Sequence, residues 1–390
     1  MKKIAILLLS LLLALPLAGC QSGQTERSIN VYNWGEYIDE SIFDDFEAET
    51  GIHVNYNTFA SNEMLYSAIK GGGNSYDVII PSDYMVARMG EEGLLMELDY
   101  SKIPNAENID ERYLSPAYDP DQKYSLPYMW GTTGIIYNTT MVDEPPTSWM
   151  DLFTTDLKGQ LLIFDNPRDC IGLALKALGY SFNTTDKDQI AEATDLLIKQ
   201  KEAGIVQAYV MDQIFDKMIN NEAAMGTYYA GDYLTMVEEN PDLAFVQPEE
   251  GSNLFVDAMC IPTCSKNYED ALTFINFMCR DDIVLRNCEE TGYSCPSATA
   301  MEEMDEDMAT DPIAYPNADI LDKAETFGGL PEDTLTFYDH EWIRICLAKV
   351  KYRRKRAHSR LAPDMCSFLV AKKEKKGYNK KSIPPLHNEL

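Results

Sequence analysis

Carboxylates and aromatic rings recur together at a few positions in this 390-residue chain. Trp34-Gly35-Glu36-Tyr37, Ser82-Asp83-Tyr84, Asp165-Asn166-Pro167-Arg168-Asp169 and Tyr229-Ala230-Gly231-Asp232 each follow an apolar run that reads as a strand. Phe255-Val256-Asp257 lies within such a run. Large rings normally enter cores and loops normally lie on the surface, so rings grouped with acids in loops need a reason. Aromatic faces attract ammonium groups, at about 0.5–1 kcal/mol when exposed and about 2 or more when desolvated. Carboxylates pair with ammonium through charge-assisted hydrogen bonds, and rings pack well on methylene chains. A ligand with a flexible aliphatic body and charged amino ends uses all three.

Paired acids also serve as general acid and base in glycoside hydrolysis. The chain offers no nucleophile elbow, no HExxH and no histidine-based triad, and acids are plentiful throughout. Its four histidines and its cysteine spacings do not match metal-site patterns. The expectation is therefore no catalytic residues, no metal and no cofactor. A carboxylate-based hydrolase is the weaker alternative, and a binder of some other small organic cation the nearer one.

The elements that must hold these loops alternate. INVYN reads as a strand, and DESIFDDFEAETG as an amphipathic helix with Ile42, Phe43 and Phe46 on one face and Gly51 as its cap. IHVNYNTF alternates as a second strand, and SNEMLYSAIKGGG is a helix capped by Ser61 or Asn62. YDVIIPSDY is a short apolar strand stopped by Pro81. LKGQLLIFDNPRDCIGLALKALG repeats strand, turn and helix, and ATDLLIKQKEAG is a helix. EAAMGTYYAGDYLTMVEE reads as a small-residue strand followed by another; LFVDAMCIP is a strand and YEDALTFINFMCR a helix. Such alternation predicts mostly parallel α/β sheets, whose ligands sit beyond the carboxyl ends of the strands. The long, proline-interrupted YSLPYMWGTTGIIYN could carry the chain from one domain to another.

Length suits two domains, and 45% hydrophobic with 11% aromatic residues is globular composition. The formal net charge of −30 argues against nucleic acid. Residues 347–390 hold 13 Lys/Arg and 3 Asp/Glu, leaving 20 and 60 for residues 1–346, a body at −40. Lys2 and Lys3 before an apolar run from Ile4 to Leu17 have the layout of a secretory signal, too short to span a membrane comfortably. The run ends in Leu17-Ala18-Gly19-Cys20, which resembles a bacterial lipobox and makes Cys20 the expected lipidated residue. Eight further cysteines remain, of which four to six could pair outside the cell, with a connectivity that spacing does not give.

From Ile29 to about Trp342 the text resembles the spermidine/putrescine-binding lipoproteins of polyamine ABC transporters, a bacterial extracellular solute-binding family. YNWGEYI, FEAETGIHV, YDVIIPSDY, YSLPYMWGTTGIIYN, LGYSFNTTD, ETGYSCPS and FYDHEW carry the likeness. It implies a two-lobed type II periplasmic-binding-protein fold, with two mixed, mostly parallel sheets flanked by helices and a ligand cleft between lobes. The expected division is residues 1–19 signal, 20–28 lipid-anchored tether, 29–135 plus 256–305 lobe 1, 136–255 plus 306–346 lobe 2, and 347–390 a disordered or artefactual basic tail. Expected partners are a polyamine, a permease with its ATPase, and a membrane reached through lipid on Cys20 at the periplasm or cell surface. The protein is expected to be a monomer.

The resemblance also assigns residues. Trp34 and Tyr37 flank the alkyl chain, Glu36 faces an amine, and Ser82 and Tyr84 close one side. Asp169, Asp232 and Asp257 take amines, and Tyr229, Phe255 and Tyr293 form walls. There are departures. Asn166 stands where some members have an aspartate. Tyr229 and Phe255 replace tryptophans, and Gly328 falls where some members hold a glutamine. These leave putrescine and spermidine both open.

Overall fold

The computed structural model describes residues 27–349. The leader, Cys20, most of the tether, Cys366 and the basic stretch from residue 350 onward lie outside the described residues. In chain order the strands are β1 (Arg27–Trp34), β2 (Ile52–Phe59), β3 (Val78–Ile79), β4 (Ser125–Asn138), β5 (Leu161–Phe164), β6 (Val206–Val210), β7 (Met225–Tyr229), β8 (Leu243–Val246) and β9 (Leu254–Cys260). The helices of six residues or more are α1 (Ile42–Thr50), α2 (Asn62–Gly71), α3 (Asp83–Glu91), α4 (Pro167–Ala177), α5 (Lys187–Glu202), α6 (Ile214–Ile219), α7 (Ala230–Glu239), α8 (Tyr268–Met278), α9 (Asp281–Thr291), α10 (Ala298–Glu303) and α11 (Glu332–Leu347). No described helix is long and apolar enough to cross a membrane.

Two compact units divide the chain. Unit 1 runs to Trp130 and resumes over Val256–Glu306; unit 2 takes Gly131–Phe255 and resumes at Asp307. The chain therefore changes unit inside β4 and again inside β9.

In unit 1, β1 lies between β2 and β3, parallel to both, and β3 pairs antiparallel with β9 through Ile79 and Cys260. One face packs on Leu65, Ile69, Met85, Val86 and Met89 from α2 and α3. Local signals fix the helix ends. Gly51 adopts a left-handed φ of 69° after α1, and its N–H reaches the Glu47 carbonyl. The Ser61 side chain accepts from Met64 N–H at the start of α2. Buried Asp77, just before β3, takes hydrogen bonds from the backbone of Asn30, Lys266 and Asn267 and from the Ser265 hydroxyl, so its burial is compensated.

In unit 2, β5 is parallel to β6 and β7, and β4 runs antiparallel to β7 and β8. A large core of Leu161–Phe164, Ile171, Leu175, Leu197, Met236, Tyr338 and Ile345 joins the sheet to α4, α5, α7 and α11. One expectation is corrected here. After β7 the chain forms the helix α7, not a second strand. Tyr233 and Met236 are buried three residues apart, a helical spacing that the tyrosine-rich text disguised.

Candidate ligand-binding site

The parallel strands of each unit end on one edge, and the residues beyond that edge carry the chemistry. Trp34 closes β1, in register with Phe59 at the end of β2, and their rings lie 4.5 Å apart. The buried Trp34 Nε1 has no hydrogen-bond acceptor among the described residues. Gly35 and Glu36 turn the chain, with Glu36 exposed at a left-handed φ of 49°. Tyr37 then goes inward. Its ring meets Tyr293 edge-on at 4.5 Å and Tyr128 at 5.4 Å, and its carbonyl accepts from the Tyr128 hydroxyl at 2.7 Å. Trp34 thus presents a half-buried ring, while Tyr37 and Tyr293 form the packed wall behind this edge.

Beyond β3, Ser82 caps α3 and bridges to Asp257 on β9, which puts a buried carboxylate at the same edge. The Ser82 hydroxyl and N–H are both held by Asn62, at 3.1 Å each. The Tyr84 hydroxyl donates to Glu63 Oε1 at 3.2 Å. Asp83, fully buried between them, accepts from Val256 N–H at 3.3 Å and joins α3 to β9. Tyr118 lies close by; burial, reinforced by the charges of Asp83, Asp119 and Asp257, holds its phenol well above the usual range. Sequence reasoning placed Asp83 in a candidate loop without assigning it a role, and did not single out Tyr118. Asp83 stood in plain view between two assigned residues, whereas Tyr118 sits in irregular chain with no periodic signal.

In unit 2 the end of β5 runs into α4 through Asn166. Its Oδ1 caps the helix by accepting from Asp169 N–H at 2.8 Å, and its Nδ2 donates to Asp169 Oδ2 at 2.8 Å and to Met211 Sδ at 3.7 Å. Both ends of the amide are engaged. Tyr229, last in β7, donates its hydroxyl to Asp169 Oδ2 at 3.0 Å. Its ring lies 5.2 Å from Phe164 and 5.3 Å from Phe255. Asp232 is buried in the first turn of α7. The Tyr228 hydroxyl donates to Asp212 Oδ1 at 3.2 Å; burial and the fields of Asp232, Asp212 and Asp169 push its phenol well above the usual range. Asp212 follows β6 on an exposed loop and went unread because no ring accompanies it in sequence. Gly328 accepts from Arg168 Nη2 at 3.3 Å and donates to Asn183 Oδ1 at 2.7 Å. A Cβ there would meet nothing nearer than 3.5 Å.

One feature is common to both units. α3, α4 and α7 each start beyond a parallel strand and carry an aspartate in the first turn: Asp83, Asp169 and Asp232. A helix N-terminus bears about half a positive charge and ordinarily attracts anions. Here aspartates of the chain itself occupy that position. The edge is thereby turned from an anion site into one suited to cations beside apolar rings.

The bacterial extracellular solute-binding protein family matches residues 41–317. A spermidine/putrescine-binding periplasmic protein of Salmonella typhimurium is 35% identical over 80% of this chain and 90% of its own length. The substrate-binding protein of a spermidine/putrescine ABC transporter from Streptococcus pneumoniae, solved with calcium and HEPES, shares 41% identity with a TM-score of 0.70. The similarity covers 82% of this chain and 98% of that one. A Treponema pallidum lipoprotein, Tp0655, is 25% identical with a TM-score of 0.71, over 82% of this chain and 99% of that one. Since the family match takes in both units and the Salmonella relative extends over four fifths of the chain, the protein belongs to the bacterial extracellular solute-binding proteins, a family of two-lobed α/β fold.

Proposed function

We propose that this protein is a polyamine receptor that captures putrescine or spermidine outside the cytoplasm and delivers it to an ABC permease and its ATPase. The observation that carries the reading is the pairing, in each unit, of aspartates with half-buried or buried rings at the carboxyl edge of the parallel strands. Relatives named for spermidine and putrescine binding support it.

In this reading unit 1 contributes Trp34, Glu36, Tyr37, Ser82, Tyr84, Asp257 and Tyr293, and unit 2 contributes Asn166, Asp169, Tyr229, Asp232 and Phe255. Rings of Trp34, Tyr229 and Phe255 line the methylene body, and Asp169, Asp232 and Asp257 receive ammonium groups. Tyr37 and Tyr293 back the wall, and Asn166 acts by orienting Asp169. A ligand that engages both half-sites draws the two lobes, residues 29–135 with 256–305 and 136–255 with 306–346, closed around a hinge. No bond is made or broken. The receptor acts as a monomer, held to a membrane by lipid on Cys20; the lipoprotein relative from Treponema supports that anchor.

Calorimetric titration of the refolded, ligand-stripped protein with putrescine, cadaverine, spermidine and spermine tests the reading. The expected result is saturable one-to-one binding of at least one polyamine at micromolar or tighter dissociation constant, about −8 kcal/mol. Absence of binding by all four would overturn it and turn the search to other organic cations.

A further inference from the structure

The described cysteines are mostly buried, and two of them meet. Cys288 lies in the last turn of α9 and Cys295 seven residues later, both buried in unit 1. The chain between them is fixed at each end. Gly292, at a left-handed φ of 71°, closes α9 with its N–H on the Cys288 carbonyl at 2.9 Å. Ser294 and Trp130 exchange two backbone hydrogen bonds of 3.1 Å, and Trp130 Nε1 donates to the Cys295 carbonyl at 3.1 Å. Ser297 N–H donates to Cys295 Sγ at 3.2 Å. This turn brings the two side chains together, so that the Cys288 thiol hydrogen-bonds the Cys295 thiol.

We propose that Cys288 and Cys295 form a dithiol–disulfide couple, a modification site whose oxidised form clips the Tyr293 segment to the end of α9. The inference is independent of the ligand. The co-reactant is a small soluble disulfide. One cysteine thiolate attacks it, forming a mixed disulfide and expelling one small thiolate. The second cysteine thiolate then attacks the protein sulfur and expels the other. Two protons leave the cysteines and end on the two small thiols, and the oxidant is reduced by two electrons as the protein is oxidised by two. Contact with Cys295, then burial, holds the Cys288 thiol well above its usual range. Both thiols are buried, so the first attack waits on local openings and oxidation is slow in the native protein. The ring spanning residues 288–295 carries Tyr293, whose ring packs edge-on against Tyr37. Closing the disulfide thus limits the motion of that wall.

The test is peptide mapping of the full chain after reduction and then incubation in graded mixtures of reduced and oxidised glutathione. Samples are quenched in acid, unfolded and alkylated. The expected product is a peptide with Cys288 joined to Cys295, two hydrogens lighter than the dithiol, with Cys260 and Cys279 alkylated. Recovery of both Cys288 and Cys295 as alkylated thiols at every ratio, or either paired elsewhere, overturns the proposal. As a second measurement, oxidation is expected to raise the melting temperature of the wild type and of Cys279→Ala by a few degrees, and to leave Cys288→Ala unchanged. An equal rise in Cys288→Ala would also overturn it.

Discussion

The Tyr229 hydroxyl donates to Asp169 Oδ2 at 3.0 Å, and the Asn166 amide donates to the same oxygen at 2.8 Å. One carboxylate oxygen of unit 2 is therefore held by the last residue of β7 and by the cap of its own helix, and Asp169 is oriented before any ligand arrives. Removing the tyrosine hydroxyl leaves the ring in place and loosens the acid. Tyr229→Phe is expected to weaken polyamine binding by about threefold to tenfold, the range of one hydrogen bond of ~1 kcal/mol. Asp169→Asn should weaken it by more. Calorimetry on the two variants decides; equal affinities in wild type and Asp169→Asn would take this acid out of the site.

Asp257 lies buried against Ser82, where an ammonium would lose its water and need the full charge opposite. Asp257→Asn should weaken polyamine binding tenfold or more with little change in melting temperature, since the amide has the same shape. Unchanged affinity would show that no amine reaches this strand.

Asn166 also has a structural duty, as the N-cap of α4. Asn166→Ala is expected to destabilise unit 2 by about 1 kcal/mol. Asn166→Asp keeps an acceptor for Asp169 N–H but sets a second carboxylate against Asp169 Oδ2. Thermal denaturation with and without ligand should show Asn166→Asp recovering much of its lost stability when the polyamine is added, and Asn166→Ala recovering less. The same ligand response in both variants would argue against an amine at Asp169.

Away from the site, Glu92 is held down to about 2, chiefly by Lys70, with Tyr66 and Arg88 adding hydrogen bonds. A carboxylate depressed on folding stabilises the native state above its unfolded range near 4.5, and this contribution disappears as pH falls toward 2. Melting temperature against pH should therefore drop less steeply between about 4.5 and 2 in Glu92→Gln than in the wild type. Parallel curves would mean the cluster is too exposed to matter.

Much of this was legible because local rules governed it. Gly51 and Ser61 stopped and started helices where their backbone and side-chain chemistry predict. The post-strand loops could be read from apolar runs that end in Trp34, Phe164 and Tyr229. What escaped depended on tertiary partners. Tyr37 and Glu36 are adjacent in sequence, yet one enters the core and the other is exposed, because Glu36 itself adopts a left-handed backbone that turns the chain. Asn166 reads as a departure from an acid, and only its two committed hydrogen bonds reveal that it serves Asp169. The residues after Tyr229 looked β-rich, and the burial that makes them a helix comes from the distant core of unit 2.

The two crossings of the chain inside β4 and β9 have a consequence for biosynthesis. Unit 1 lacks the β9 partner of Ile79 until Cys260 has been made, and the core of unit 2 includes Tyr338 and Ile345 from the last helix. An N-terminal half emerging from the ribosome lacks residues that belong to both cores. Completion of both cores therefore depends on residues from the C-terminal half of the chain.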